Sequence, residues 1–141
     1  MPDSKRSLRV DASLANLDAV RAFIANAATT LGIPEELHFY LQLAADEAFT
    51  NLVMYGYAGQ VGEAELTLSR DPDAVVLTIR DWSRPFDPTQ VPPPDLNRPL
   101  SERTIGGLGI HIIRQIMDEM HYRADAVEGN VLTLVKRLPK E

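Results

Sequence analysis

Six of the ten prolines (Pro85, Pro88, Pro92, Pro93, Pro94 and Pro99) fall between Asp81 and Thr104. Proline fixes φ and has no amide hydrogen to donate, so neither an inner strand nor a helix interior passes through such a stretch. The chain therefore folds around a break of about two dozen residues, long for a compact domain. Loops of that length are lids or binding loops, or else are disordered.

Regular patterns stand on both sides of the break. Leu8 to Val10 is a short apolar run ending at Asp11, a first strand. From Leu14 to Leu31, apolar residues recur at spacings of three and four, and Gly32 stops them, as at the end of an amphipathic helix. Pro34 restarts the chain at a first helical position, with Glu35 and Glu36 at the positive end of the dipole. That second helix is expected to run to about Tyr55 and end at Gly56 and Gly59. Glu63–Ser69 and Ala74–Ile79 read as an antiparallel hairpin turned by Arg70–Asp73. After the break, Gly106-Gly107-Leu108-Gly109 opens a third helix with Ile110, Ile113, Ile116, Met117 and Met120 as its apolar face. His121–Asp125 and Asn130–Lys136 form a last hairpin around Gly129. Strands pairing with their sequence neighbours, plus three helices, predict an α+β two-layer sandwich, mainly antiparallel, with the helices on one face. A single domain over 1–141 is expected, with a lid at about 87–105.

At 45% hydrophobic and 24% charged residues the chain has enough apolar material for a core. Its formal charge of −6 gives no support for sequence-independent binding to nucleic-acid backbones. The absence of cysteine excludes disulfides, thiolate metal sites and a Cys nucleophile. No apolar run is long enough to span a membrane, and Lys5 and Arg6 are followed by no signal-peptide core, so a cytoplasmic protein is expected.

Three groups of residues can carry chemistry. Glu47 and Asn51 are four apart on the second helix and leave one face together. A carboxylate and a carboxamide are oxygen donors suited to Mg²⁺ that keeps several waters and a phosphate. The same pair also occurs on plain solvated helix faces, although Ala44, Ala45, Ala48, Phe49 and Leu52 around it imply cover. The glycines at 106, 107 and 109 let backbone amides at a helix start approach an anion, or serve packing alone. They follow neither the Walker A nor the Rossmann pattern. Asp81, where the third strand meets the break, can accept a hydrogen bond from an exocyclic amine, or act as a turn residue.

In chain order these pieces resemble the nucleotide-binding boxes of the GHKL ATPase superfamily, which includes gyrase B, histidine kinases and MutL. Asp46-Glu47-Ala48-Phe49-Thr50-Asn51 resembles the N box, and Asp81 to Pro88 the first glycine box. Gly106 to Ile110 resembles the second glycine box, and Asn130 to Lys136 the final strand. Within the superfamily, the chain from about Ser7 to Leu138 is most similar to bacterial anti-sigma-factor serine/threonine kinases of the RsbW and SpoIIAB type.

That resemblance implies a Bergerat-type ATP-binding fold and a set of roles. Asn51 would hold Mg²⁺ and Glu47 would act as general base. Asp81 would receive the adenine amine, with Thr133 as a second adenine contact. Gly106, Gly107, Leu108 and Gly109 would wrap the phosphates, and Pro85 and Phe86 would border the nucleotide. Arg21 would grip partner proteins. The implied partners are a sigma factor, a STAS-type anti-anti-sigma antagonist and a second copy of the chain. The sequence departs from the family at Ser83, where glycine is usual, and at Tyr55, where histidine is frequent; Arg98 and Arg103 are the lid's only candidate phosphate ligands. A nucleotide-switched binding module without turnover, and a detached histidine-kinase-like ATPase domain, are the alternative readings.

Overall fold

The computed structural model describes residues 4–92 and 107–139. Five strands form one sheet in the order β1-β2-β3-β5-β4: β1 (Lys5–Asp11), β2 (Glu63–Arg70), β3 (Ala74–Asp81), β4 (Glu119–Asp125) and β5 (Gly129–Arg137). Every neighbouring pair is antiparallel. Three helices, α1 (Leu17–Thr30), α2 (Glu35–Asn51) and α3 (Gly107–Ile116), pack on one face, with α2 between the other two. This is the expected two-layer arrangement.

The core lies between the layers. Alternation along β3 buries Val75, Leu77 and Ile79 against the helices, beside Leu66 and Leu68 of β2 and Leu134 of β5. From the helices come Ile24, Leu41, Phe49, Ile110 and Ile113, all fully buried. Each such side chain contributes about 1.5–3 kcal/mol relative to exposure. The last inward position of β3 is Asp81, so the same alternation that builds the core aims a carboxylate at the helices.

Local signals act as expected at several ends. α1 closes in a Schellman motif: Ile33 N donates to Ala28 O and Gly32 N to Thr29 O, with Gly32 at φ 67°. Pro34 precedes α2 instead of occupying its first turn, and Glu35 opens the helix. α2 does not run straight to Tyr55. After Asn51 it widens into a π-helical turn over Leu52–Gly56, where Tyr57 N reaches back to Leu52 O. The inserted residue delivers Tyr57 to the end of β3, where its hydroxyl donates to Glu63 O and accepts from Trp82 N. Gly62 makes room for that ring, since a Cβ there would lie 2.0 Å from it.

One element boundary also needs correction. Met120 does not belong to α3, which ends at Ile116; it is the second residue of β4. Its inward place in the strand gave it the spacing of a helical residue. The proline-rich break is also ordered at its start. Asp87 caps a short 3₁₀ turn at Pro88–Gln90, and the Arg114 guanidinium of α3 donates to the carbonyls of Pro88, Thr89 and Val91. The rest of the expected lid, with Arg98, Arg103 and Gly106, lies outside the described residues. Among the described residues, no helix is long and apolar enough to cross a membrane.

Candidate nucleotide site

A pocket opens between α2, α3 and the ends of β3 and β5. Apolar walls come from Ile79, Ile110 and Leu132, and the polar groups converging on it are Asn51, Asp81 and Asn130. An apolar slot with a few placed polar groups is the form of a small-molecule site.

At its inner end Asp81 and Asn130 are directly paired across β3 and β5, and both are buried. Asp81 Oδ1 accepts from Ser83 N at 2.9 Å, Ser83 Oγ at 2.6 Å and Asn130 Nδ2 at 2.9 Å. Asn130 Nδ2 also donates to Ser83 O at 2.9 Å. Ser83 thus fits the position where the resembled family has glycine, by turning its hydroxyl onto the aspartate. Phe86 lines the pocket, and its amide donates to the Tyr122 hydroxyl at 3.1 Å. Pro85 is exposed and does not reach the lining.

Thr133 is on the wrong face of the sheet for the expected adenine contact. It pairs with Thr78, whose side chain alternates away from the helices, whereas Leu132 and Asn130 pair with the inward Ile79 and Asp81. A strand's side chains change face at every residue, so Thr133 faces opposite to the pocket. The polar residue beside Asp81 is Asn130, the first residue of the final-strand motif, to which the sequence assigns no role of its own. Its signal was a polar side chain just after the Gly129 turn, in register with the aspartate.

At the outer end, Glu47 and Asn51 share the α2 face that meets the first turn of α3. A Cβ on Gly109 would stand 2.6 Å from Glu47 Oε2 and 3.0 Å from Asn51 Nδ2. Any larger residue there would push the Glu47 and Asn51 side chains aside. Burial raises the proton affinity of Glu47, and the neighbouring Asp46 charge adds to it. Among the described residues, Asn51 Nδ2 is buried without a hydrogen-bond partner, as is Asp46 Oδ1. Buried polar atoms are nearly always paired, so an orphaned carboxamide at a pocket wall marks a place for a ligand. A half turn of that amide presents its oxygen instead. The carboxamide and carboxylate are oxygen donors that fit Mg²⁺, and the positive end of the facing helix fits the phosphate oxygens that would share it.

Gly107 opens α3, and Leu108 is partly exposed outside the lining. Arg21 of α1 lies on the neighbouring surface, donating from Nε to Asp46 Oδ2 at 2.9 Å and from Nη1 to Asp18 at 3.5 Å. The structure therefore sets Asn51, Asp81 and Phe86 in the wall of one pocket, brings Glu47 and Gly109 together next to Asn51, ties Arg21 to Asp46, and leaves Pro85, Leu108 and Thr133 out of the lining.

An α/β sandwich with a carboxylate at the end of its central strand, and a helix start closing on an acidic and amide pair, defines a nucleotide-binding class of the GHKL type. The pattern of the histidine kinase-like ATPase domain matches residues 10–136, and the chain belongs to that family. Among curated relatives, the serine-protein kinase RsbW of Bacillus cereus is 26% identical over 97% of this chain and 87% of its own length. The serine/threonine-protein kinase BtrW of Bordetella bronchiseptica is 36% identical over 62% of each chain. A crystal structure of the RsbU and RsbW domains of a Mycobacterium tuberculosis protein shares the fold, with a TM-score of 0.59 at 20% identity over 96% of this chain. This chain spans 33% of that longer one.

Proposed function

We propose that the protein is an ATP- and Mg²⁺-dependent serine/threonine protein kinase that phosphorylates an anti-anti-sigma antagonist and, when the antagonist is spent, sequesters a sigma factor. The observation that carries this reading is the pairing of a half-buried Glu47 of raised proton affinity with the orphaned Asn51 amide against Gly109. The kinase names of the relatives support it.

In this reading Asp81 accepts the adenine amine, and the apolar walls hold the ring. Asn51, with Glu47 nearby, would hold Mg²⁺, which supplies charge neutralisation to the phosphates when bound. The amides at the start of α3, including Gly107 and Gly109, hold phosphate oxygens near the positive end of the helix. Glu47 takes the proton of the substrate hydroxyl as its oxygen bonds to the γ-phosphorus. The bond from that phosphorus to the bridging oxygen of ADP breaks, and the electron pair leaves with ADP. Most of the rate enhancement is then positioning and electrostatics, with proton removal adding to it. A raised proton affinity makes Glu47 a stronger acceptor than an exposed carboxylate.

Arg21 on the adjacent surface is the grip for the sigma factor and the antagonist, and the working unit is a cytoplasmic homodimer. Incubation with γ-labelled ATP, Mg²⁺ and STAS-type antagonist domains tests the proposal. Label on an antagonist serine or threonine supports it. Nucleotide binding with no transfer to any such domain would replace it with the switched binding module.

A further inference from the structure

Three hydrogen bonds converge on one oxygen of Asp81. Ser83 N, Ser83 Oγ and Asn130 Nδ2 all donate to Oδ1, and none of them donates to Oδ2. The arrangement is tightly built. Asn130 and Asp81 are 4% and 8% exposed, and Asn130 spends its second amide hydrogen on Ser83 O. On the far side, a Cβ on Gly56 would lie 2.9 Å from Ser83 Oγ, so the π-helical turn brings a bare backbone up to that hydroxyl. An ionised carboxylate has about two acceptor sites on each oxygen. Three donors therefore exhaust Oδ1 and, among the described residues, leave Oδ2 for a ligand.

The consequence depends on the shape of the purine edge. A 6-aminopurine offers one exocyclic amine, flanked by ring acceptors, and one carboxylate oxygen is enough for it. A guanine edge offers two parallel donors, N1–H and the 2-amino group, which match a carboxylate with both oxygens free. It also carries an O6 acceptor that a carboxylate repels. A free carboxylate can swing to take the paired donors, whereas one fixed through Oδ1 cannot.

We infer that Ser83 and Asn130 are specificity-determining positioning residues: by occupying Oδ1 of Asp81 they make the pocket a one-donor site that takes 6-aminopurine nucleotides and rejects guanine nucleotides. This rests on the reading of the pocket as a nucleotide site. It assigns to Ser83, the departure from the resembled family, a role in base selection.

The test is the ratio of ATP to GTP affinity, measured by competition against a fluorescent ATP analogue with Mg²⁺ present. Wild type should prefer ATP. Ser83→Ala, in a half-buried loop position, should narrow the ratio about threefold, and Ser83→Ala with Asn130→Ala by at least about tenfold, the worth of one charge-assisted hydrogen bond. Ser83→Thr, which keeps the hydroxyl, should restore the ratio. A loss of stability alone would weaken both nucleotides equally and leave the ratio unchanged, so the ratio separates positioning from mere support. An unchanged ratio in the Ser83→Ala protein and in the double variant, or a wild type indifferent to the base, overturns the inference while the nucleotide reading stands. A wild type that binds neither nucleotide overturns both.

Discussion

Gly109 faces Glu47 so closely that a methyl group on it would stand 2.6 Å from the carboxylate's Oε2, inside contact distance. The contact joins the start of α3 to the C-terminal part of α2, far apart in sequence. It links the glycine cluster and the Glu47–Asn51 pair, which the sequence offers as separate features, into one site.

Gly109→Ala should therefore damage function more than stability. The atom in its way is the tip of a flexible side chain, which can swing aside, and alanine improves helix propensity by about 1 kcal/mol. The displaced Glu47 and Asn51 would lose their alignment with the phosphates. A melting temperature near wild type, with phosphate transfer reduced at least about tenfold, is expected. Full activity in this variant would show that the tight approach has no catalytic purpose.

Asn51→Ala should remove the dependence of nucleotide affinity on Mg²⁺. Titration calorimetry with ATP, run in Mg²⁺ and again in chelator, should give two similar weak isotherms. Because Asn51 Nδ2 has no partner among the described residues, truncation leaves none of their groups newly unpaired, and folding stability should be nearly preserved. A variant that still binds ATP more tightly with Mg²⁺ would take Asn51 out of the metal site.

The Arg21–Asp46 pair should tune the base. Burial is the first cause of the raised Glu47 proton affinity and Asp46 the second, while Arg21 offsets the Asp46 charge. Arg21→Ala should raise the Glu47 pKa further and move the acid limb of the transfer rate to higher pH. Asp46→Asn should move it to lower pH. The stability linkage has a definite sign as well. A carboxyl whose folded pKa lies above its unfolded value contributes stability that is fully present below the unfolded pKa and is lost as pH rises through the folded one. Glu47→Gln should accordingly melt no lower than wild type at pH 8. Identical pH profiles in the Arg21 and Asp46 variants would show that the pair does not act on Glu47.

The sequence made the layers legible because their signals are periodic. Helical spacing exposed α1 and α2, and alternation exposed the β2–β3 hairpin. The site was legible where residue type and spacing coincide with one element, as for Glu47 and Asn51. It was not legible where the answer depends on register. Thr133 and Asn130 differ in face because β5 alternates, and the pairing of Asn130 with Asp81 is a relation between strands far apart in the chain. Nor does any local pattern announce the π-helical turn that brings Gly56 to Ser83, or the reach of Arg114 to three loop carbonyls. Met120 reads as helical because one inward strand residue after a helix continues the helix's spacing.

Asp81→Asn should weaken ATP by about 1–3 kcal/mol, since an amide accepts a weaker hydrogen bond than a carboxylate. It should also destabilise the fold, because three donors aimed at Oδ1 would face a neutral group. Isothermal binding and thermal melting on the same preparation check both. Wild-type ATP affinity in the variant would show that the base is read elsewhere.

The central claim is that Glu47 removes the proton during transfer, and Glu47→Gln tests it most directly. The amide is nearly isosteric, so α2, the Asn51 site and nucleotide binding should survive, as should the grip on the sigma factor. It cannot accept a proton at neutral pH, and a general base contributes about 10²–10⁴-fold. Single-turnover transfer from γ-labelled ATP to the antagonist should fall at least about a hundredfold while ATP affinity stays within about twofold of wild type. Transfer at the wild-type rate would contradict the account.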